Sequence, residues 1–181
     1  MSENIYMRRA YELALKARDA DEVPIGCVIV SNISGESIAE AYNLSQHALE
    51  ATAHAEILAI REACRKMRCN RLRGCDLYVT LEPCTMCAAA ISFARIENLY
   101  FAAADAKGGA VISGVKFFQS PTCHHRPVVH SGIMEEECSQ ILKDFFRNKR
   151  RIKNPLRLVR SKGTNRLCFE HDFGRFNAEQ I

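Results

Sequence analysis

The chain has 181 residues, of which 48% are hydrophobic and 25% charged, and its formal net charge at pH 7 is +4. This composition is typical of one soluble globular domain, and no apolar run approaches the roughly 18 residues needed to cross a membrane. The nine cysteines are an odd number, and the N-terminus lacks the apolar stretch of a signal peptide. These features predict a cytoplasmic protein whose thiols are mostly free.

The predicted elements alternate between helices and strands. Apolar residues at helical spacing predict helices, and short runs rich in β-branched residues predict strands. The predicted helices are 5–19, 53–68, 84–96 and 135–151, and the predicted strands are 24–31, 37–43, 76–82, 98–104 and 126–132. This order predicts an α/β fold in which a five-stranded mixed sheet is covered by helices on both faces, a three-layer α/β/α arrangement.

Charge is distributed unevenly along these elements. Residues 1–144 hold 15 Lys/Arg and 18 Asp/Glu, whereas residues 145–181 hold 10 and 3. No acidic residue occurs between Phe145 and Phe169. Such a segment can be a solvated, partly disordered tail, or it can be an arm that follows a phosphate backbone. The sequence leaves both interpretations open.

Cys84 and Cys87 lie three residues apart, directly after Pro83, at the start of a predicted helix. Positions i and i+3 share a helix face, so both sulfur atoms can reach one metal ion. Proline suits the first turn of a helix, and the helix dipole favours thiolate over thiol. The pair alone is compatible with a redox pair, half of a structural zinc site or part of a catalytic zinc site.

His54 is the best candidate for a third ligand, because it begins a predicted helix and Glu56 follows two residues later. Three protein ligands leave the fourth position of zinc open for water, as in catalytic zinc sites. Residues i and i+2 point about 200° apart on a regular helix. We therefore expect the metal to lie at the helix end, where the backbone is irregular.

The pattern H-x-E…P-C-x-x-C resembles the signature of zinc deaminases. Roughly residues 5–152 resemble bacterial tRNA adenosine deaminases of the cytidine deaminase-like superfamily, in the segments EVPIGCVIV, TAHAEI, LYVTLEPCTMCAAAI, DAKGGA and ECSQILKDFFRNKR. The resemblance implies a zinc-dependent deaminase domain at 1–152 and a basic C-terminal extension at 153–181 without an assigned role. It also implies a five-stranded sheet between helices and a homodimer.

The resemblance implies roles for the residues that match the family's motifs. His54, Cys84 and Cys87 would bind one zinc ion per chain, and Glu56 would shuttle protons without being a ligand. Eight further residues would contact the substrate: Asn43, Ala55, Asp105, Lys107, Phe145, Phe146, Arg147 and Arg150. The implied reaction is hydrolytic deamination of adenosine to inosine at the wobble position of a tRNA anticodon. The expected partners are the anticodon stem-loop and a second copy of the chain, and no membrane is expected.

Three other functions fit parts of the same pattern. A deaminase of a free base or nucleoside, such as guanine or cytosine, would share every catalytic residue, but a small neutral base needs no phosphate contacts. A structural zinc module that binds RNA would fill all four positions with protein ligands, and no fourth Cys or His is convincingly placed. A redox pair would leave His54 and Glu56 without a role.

The sequence also departs from the family's pattern at two places. Cys27 replaces a common alanine in the first predicted strand, and Glu50-Ala51 lies where the family often has Asp-Pro-Thr before the His motif. The sequence does not indicate what either change does to the pocket wall.

Overall fold

The computed structural model describes residues 2–153, so the predicted extension beyond Lys153 lies outside the described residues. The helices are α1 (Ser2–Asp19), α2 (Ala55–Met67), α3 (Thr85–Ala94) and α4 (Glu135–Lys153). The strands are β1 (Gly26–Ser31), β2 (Ser37–Tyr42), β3 (Cys75–Leu81), β4 (Asn98–Ala103) and β5 (Val128–Ser131). The predicted α/β fold with five strands is confirmed. Within the same residues, no helix has both the length and the apolar character needed to cross a bilayer.

The strands form one mixed sheet in the order β2-β1-β3-β4-β5. β1 is antiparallel to both β2 and β3, whereas β3, β4 and β5 are parallel to one another. Parallel neighbours need a crossover connection, and α3 supplies it between β3 and β4. The chain therefore leaves the end of β3 and enters α3 within a few residues, and Cys84 lies in that short connection.

Helices cover both faces of the sheet. Successive residues of a strand point to opposite faces, so β1 contributes to two separate apolar cores. Val28 and Val30 pack in the core that contains α1 residues and Cys138 of α4. Cys27 and Ile29 pack in the core that contains residues of α2 and α3. This double burial explains why residues 24–31 are almost uniformly apolar, and it confirms the three-layer arrangement.

Helix α1 lies very close to the start of β1 at Gly26. A Cβ atom at this position would lie 2.0 Å from the carbonyl oxygen of Ala10 and 2.7 Å from the amide nitrogen of Ala14. We expect Gly26→Ala to lower the free energy of unfolding by about 3 kcal/mol, because the helix backbone cannot move aside as a flexible side chain could. Urea denaturation followed by circular dichroism measures the change. An unchanged midpoint would contradict this close approach.

Candidate active site

Three side chains that can bind a metal converge between the amino ends of α2 and α3. The ligand atoms of His54, Cys84 and Cys87 all lie within 4.8 Å of one another. His54 Nδ1 is 3.8 Å from Cys84 Sγ and 3.6 Å from Cys87 Sγ. Within residues 2–153, no fourth ligating side chain joins this group. One imidazole and two thiols, with a position left for water, are the donor set of a catalytic zinc site.

Two of the three ligands are helix caps. His54 is the N-cap of α2, with φ −73° and ψ 151°, and Cys84 is the N-cap of α3, with φ −70° and ψ 173°. Both residues therefore have extended backbone and precede the regular helix. Because His54 lies outside the helix, the 200° separation of a regular i, i+2 pair does not apply to His54 and Glu56. Both side chains can approach the same site.

Glu56 lies in the first turn of α2 and is 4% exposed. Burial raises the pKa of its carboxyl, and the Cys84 thiolate raises it further. Among the described residues, its Oε2 atom is buried and has no hydrogen-bond partner. Buried polar atoms in native proteins normally have a partner, so this oxygen is available to a water molecule or a ligand. A carboxyl with raised proton affinity and one free oxygen has the properties of a general base.

The two thiols of the cluster differ in their charge. A hydrogen bond from Cys87, followed by one from His54, lowers the pKa of Cys84 to about 4 against the opposing effect of burial. The bond to Cys84, followed by burial, raises the pKa of Cys87. The hydrogen bond to Cys84 also raises the pKa of His54. These contacts favour the thiolate form of Cys84, and a bound metal cation would favour loss of the Cys87 proton as well.

Known zinc deaminases match most of the chain. The family model of the cytidine and deoxycytidylate deaminase zinc-binding region matches residues 1–103. A tRNA-specific adenosine deaminase of Agrobacterium fabrum is 57% identical over 145 residues, which are 80% of this chain and 94% of that protein. This chain belongs to the family of tRNA-specific adenosine deaminases. The matched zinc-binding region and the His54–Cys84–Cys87 cluster together make zinc the cofactor of this deaminase.

Solved structures share the fold of the deaminase. One comes from structural studies of A-to-I editing by tRNA:A34 deaminases at the wobble position of transfer RNA. It is 56% identical with a TM-score of 0.74, and the match covers 76% of this chain and 98% of that chain. A guanine deaminase from Bacillus subtilis is 30% identical with a TM-score of 0.53, and the match covers 80% of this chain and 92% of that one. In sequence and in structure, the deaminase is more similar to the tRNA enzyme.

The predicted base contacts Asn43 and Ala55 lie on either side of His54 along the chain. Asn43 directly follows β2, and the amide of the next residue, Leu44, donates to the carbonyl of Ala53 at 3.0 Å. Ala53 is adjacent to His54, so the end of β2 lies beside the start of α2. Ala55 is the buried first residue of α2, where a backbone N–H has no partner within its own helix.

Glu22 fixes the orientation of the Asn43 side chain. Glu22 is fully buried, and its Oε2 accepts a hydrogen bond from Asn43 Nδ2 at 2.9 Å. Its Oε1 accepts the backbone N–H groups of Gln46 and His47 at 2.8 Å each. Because Asn43 Nδ2 donates to Glu22, the Asn43 amide turns its nitrogen toward Glu22 and its Oδ1 away from it. The same carboxylate therefore holds the amide and the loop that follows.

Asp105 and Lys107 lie in a loop that borders the cluster. Asp105 Oδ1 accepts the backbone N–H groups of Lys107 and Gly108 at 3.0 Å each, so this carboxylate shapes its own loop. The Lys107 residue is exposed. Gly109, in the same loop, forms an isolated β-bridge with Cys84. The loop thus lies directly against one of the metal ligands.

The predicted RNA contacts on α4 differ in exposure. Phe145 is 9% exposed, and Lys149 Nζ lies 5.4 Å from the centroid of its ring. Phe145 therefore packs mainly within the domain, and its contact with RNA stays a prediction. Lys149 also pairs with Asp21 at 2.5 Å, which places this part of α4 beside the segment that leads to Glu22. The remaining predicted contacts are half-buried or exposed: Phe146, Arg147 and Arg150.

The two departures from the family pattern have clear structural consequences. Glu50 Oε1 accepts a hydrogen bond from Thr52 Oγ1 at 2.5 Å and pairs with Arg61 of α2 at 3.0 Å. This pair ties the segment before the metal ligand to the helix after it. Cys27 is fully buried on β1 near Glu56, and burial, followed by the Glu56 charge, raises the pKa of its thiol. Cys27 is therefore a neutral, buried neighbour of Glu56.

Two buried carboxylates, Glu22 and Glu82, were not predicted from the sequence. Burial alone would raise the pKa of Glu82, but backbone hydrogen bonds, led by those from Ser113 and Asp105, outweigh it and lower the pKa. The sequence contained one usable signal: Glu82 closes the apolar strand DLYVTLE, where a charged residue needs partners if the strand end is buried. Glu22 gave no comparable signal, since it follows Asp19 and Asp21 in a polar segment.

Proposed function

We propose that the chain catalyses the zinc-dependent hydrolytic deamination of adenosine to inosine at the wobble position of a tRNA anticodon. The observation that carries this proposal is the buried Glu56 carboxylate beside the convergent His54, Cys84 and Cys87, since its Oε2 has no hydrogen-bond partner among the described residues. In this site the three convergent residues hold the zinc ion. When bound, zinc lowers the pKa of a water molecule in its open position and makes that water a nucleophile at neutral pH.

Glu56 moves the protons of the reaction. Its carboxylate accepts a proton from the water that attacks C6 of the adenine ring and delivers that proton to N1. It then takes the remaining hydroxyl proton and passes it to the amino group, which leaves as ammonia, so adenosine and water become inosine and ammonia. The burial that raises the Glu56 pKa supports this role, because the carboxyl must hold a proton between the two transfers.

The other residues bind and orient the nucleotide. Asn43, whose amide is oriented by Glu22, holds the base. The backbone N–H of Ala55, at the start of α2, also contacts the nucleotide. Bases of an anticodon loop are already unstacked, so turning one out costs less than it would in a duplex. Cationic side chains contact the phosphates on either side: Lys107, Arg147 and Arg150.

We also infer that residues 1–152 form the deaminase domain, that the chain acts as a homodimer and that it works in the cytoplasm. Several large apolar side chains of the single chain are exposed, which supports a covering partner: Leu49, Phe93 and Val115. Exposed apolar side chains that form a contiguous patch mark association surfaces in soluble proteins. The tRNA-modifying activity of the relatives supports the location.

The deciding experiment gives the purified chain an anticodon stem-loop with adenosine at the wobble position and maps inosine by sequencing. The matched control is a stem-loop whose only loop adenosine lies one position beyond the wobble position. We expect little inosine in this control. Free guanine is assayed in parallel, since the chain is also similar to a guanine deaminase. Turnover of guanine without turnover of the stem-loop would replace this proposal by a nucleobase deaminase.

The acid-free basic stretch near the C-terminus is either a solvated tail or an arm that binds phosphates, and truncation distinguishes the two. Truncation after Arg151 removes five basic residues that precede Phe169. We expect weaker stem-loop binding. We also expect a weaker salt dependence: the negative slope of log affinity against log salt concentration should become shallower by about 0.7 for each phosphate that the shortened chain no longer binds. Truncation after Phe169 keeps the basic stretch and should leave the slope unchanged. Equal slopes for both truncations would show that the stretch is a solvated tail.

A further inference from the structure

Glu82, the residue directly after β3, is 2% exposed and accepts five hydrogen bonds. Its Oε1 accepts the backbone N–H groups of Val111, Ile112 and Ser113 at 3.0, 2.9 and 2.8 Å. Its Oε2 accepts the backbone N–H of Asp105 at 2.9 Å and the hydroxyl of Ser113 at 2.8 Å. One carboxylate thus joins both ends of residues 105–113, which we call the 105–113 loop.

The arrangement requires a carboxylate at this position. Four of the five partners are backbone N–H groups, which can only donate a hydrogen bond. A carboxylate accepts at both oxygens, whereas an amide of the same shape would direct N–H donors at one set of these partners. Burial makes such a mismatch costly, because water cannot replace the lost hydrogen bonds.

The 105–113 loop lies against the metal site. The amide of Ala110 donates to the carbonyl of Pro83 at 2.9 Å, and Gly109 pairs with Cys84. A Cβ atom on Gly109 would lie 2.5 Å from Glu82 Cδ and 2.5 Å from the Asp105 carbonyl oxygen. The loop backbone therefore closes tightly over Glu82, immediately beside a zinc ligand.

The loop also presents side chains suited to RNA. Ile112 is 48% exposed and Lys107 is exposed, so an apolar side chain and a cation lie on the same loop. A cation for a phosphate and an apolar surface for a base are the usual elements of single-strand binding. Because Glu82 holds the loop backbone, the loop would present Lys107 and Ile112 in a fixed position. Binding of RNA would then cost less conformational entropy.

We propose that Glu82 is a positioning residue that holds the 105–113 loop as a fixed wall for the nucleotides flanking the target adenosine. It sets the affinity for the RNA strand and takes no part in the chemical step. This inference rests on the proposed function, since it concerns the RNA substrate of the same site.

The test is Glu82→Gln in the zinc-loaded full chain. We expect KM for the anticodon stem-loop to rise at least about tenfold, because an amide cannot satisfy all five donors. We expect kcat to change by less than about threefold, because Glu56 and the zinc ligands are untouched. Hydrogen exchange should become faster at the amides of residues 111–113, and the zinc content should stay at one per chain. Glu82→Asp, which keeps the acceptor with a shorter reach, should give an intermediate KM.

Asp76→Asn is the matched control. Asp76 lies in β3 and is 8% exposed, and its Oδ1 accepts a hydrogen bond from Asn98 Nδ2 at 2.7 Å. It lies about 20 Å along the strand from Glu82, so its substitution removes a buried carboxylate far from the site. We expect lower stability with an unchanged KM. If Glu82→Gln does not fold, Ser113→Ala removes one of the five donors and should raise KM about two- to threefold with kcat unchanged.

The outcomes separate this inference from the proposed function. An unchanged KM in Glu82→Gln, or in Ser113→Ala where Glu82→Gln does not fold, overturns the positioning role. Loss of zinc together with kcat, at constant KM, also overturns it, because Glu82 would then support only the ligand Cys84. A parent chain that is inactive on the stem-loop overturns the proposed function instead. In that case KM cannot be measured, and hydrogen exchange in Glu82→Gln tests the role of Glu82. Unchanged exchange in the 105–113 loop overturns that role.

Discussion

We expect Glu56→Gln to abolish deamination of the anticodon stem-loop and to leave one zinc ion per chain. We expect kcat to fall by at least about 10⁴-fold, because an amide can neither accept the proton of the attacking water nor deliver it to the ring. The substitution keeps the shape of the side chain and removes a buried carboxyl whose Oε2 has no partner among the described residues. Its stability should therefore equal or exceed that of the parent chain.

The matched control is Glu62→Gln on the same helix. Glu62 pairs with Arg65 at 2.8 Å on the outer side of α2, where an ion pair contributes little. Activity of this variant should stay within about twofold of the parent, since its charge lies away from the reacting atoms. Single-turnover rates and elemental analysis measure the two quantities. Retained turnover in Glu56→Gln would refute the proton shuttle, and loss of zinc would make Glu56 a ligand.

The sequence predicted the elements well because most of them are buried in simple patterns. The strand β1 is apolar throughout since it is covered on both faces, and the small residues of α2 and α3 match their burial against the sheet. The helix ends were less predictable. α2 and α3 stop at Arg68 and Arg95, which adopt left-handed backbone with φ 50° and 64°. Glycine usually occupies such positions, so arginine there gives no signal of a helix end.

Some residues of the candidate site could be predicted from the sequence and others could not. His54, Cys84 and Cys87 could be predicted because zinc demands particular atoms, and few residue types provide them. The loop contacts of Glu22 and Glu82 could not be predicted, because their partners lie more than 20 residues away along the chain, and the position of Glu82 at a strand end indicates only that it needs partners. A carboxylate near a strand end looks the same in sequence whether it faces solvent or organises a loop. Only the folded contacts distinguish the two cases.

The second large effect is expected at the metal ligands. Cys87→Ser should lose zinc and reduce deamination to below about 1% of the parent rate, because a serine hydroxyl stays protonated and is a poor zinc ligand. Zinc that binds only the folded chain stabilises it, so a chelator should lower the melting temperature of the parent. The same chelator should leave the melting temperature of Cys87→Ser unchanged. This readout reports metal binding without relying on turnover.

Cys138→Ser is the matched control for Cys87→Ser. Both thiols are fully buried, but Cys138 lies on α4 and packs in the core on the opposite face of the sheet. Each substitution buries a hydroxyl, so both variants lose some stability through the same change. Only Cys87→Ser should lose zinc and the response to chelator, whereas Cys138→Ser should keep both. Full zinc content and activity in Cys87→Ser would place the third ligand elsewhere and would remove the basis for an open coordination position beside Glu56.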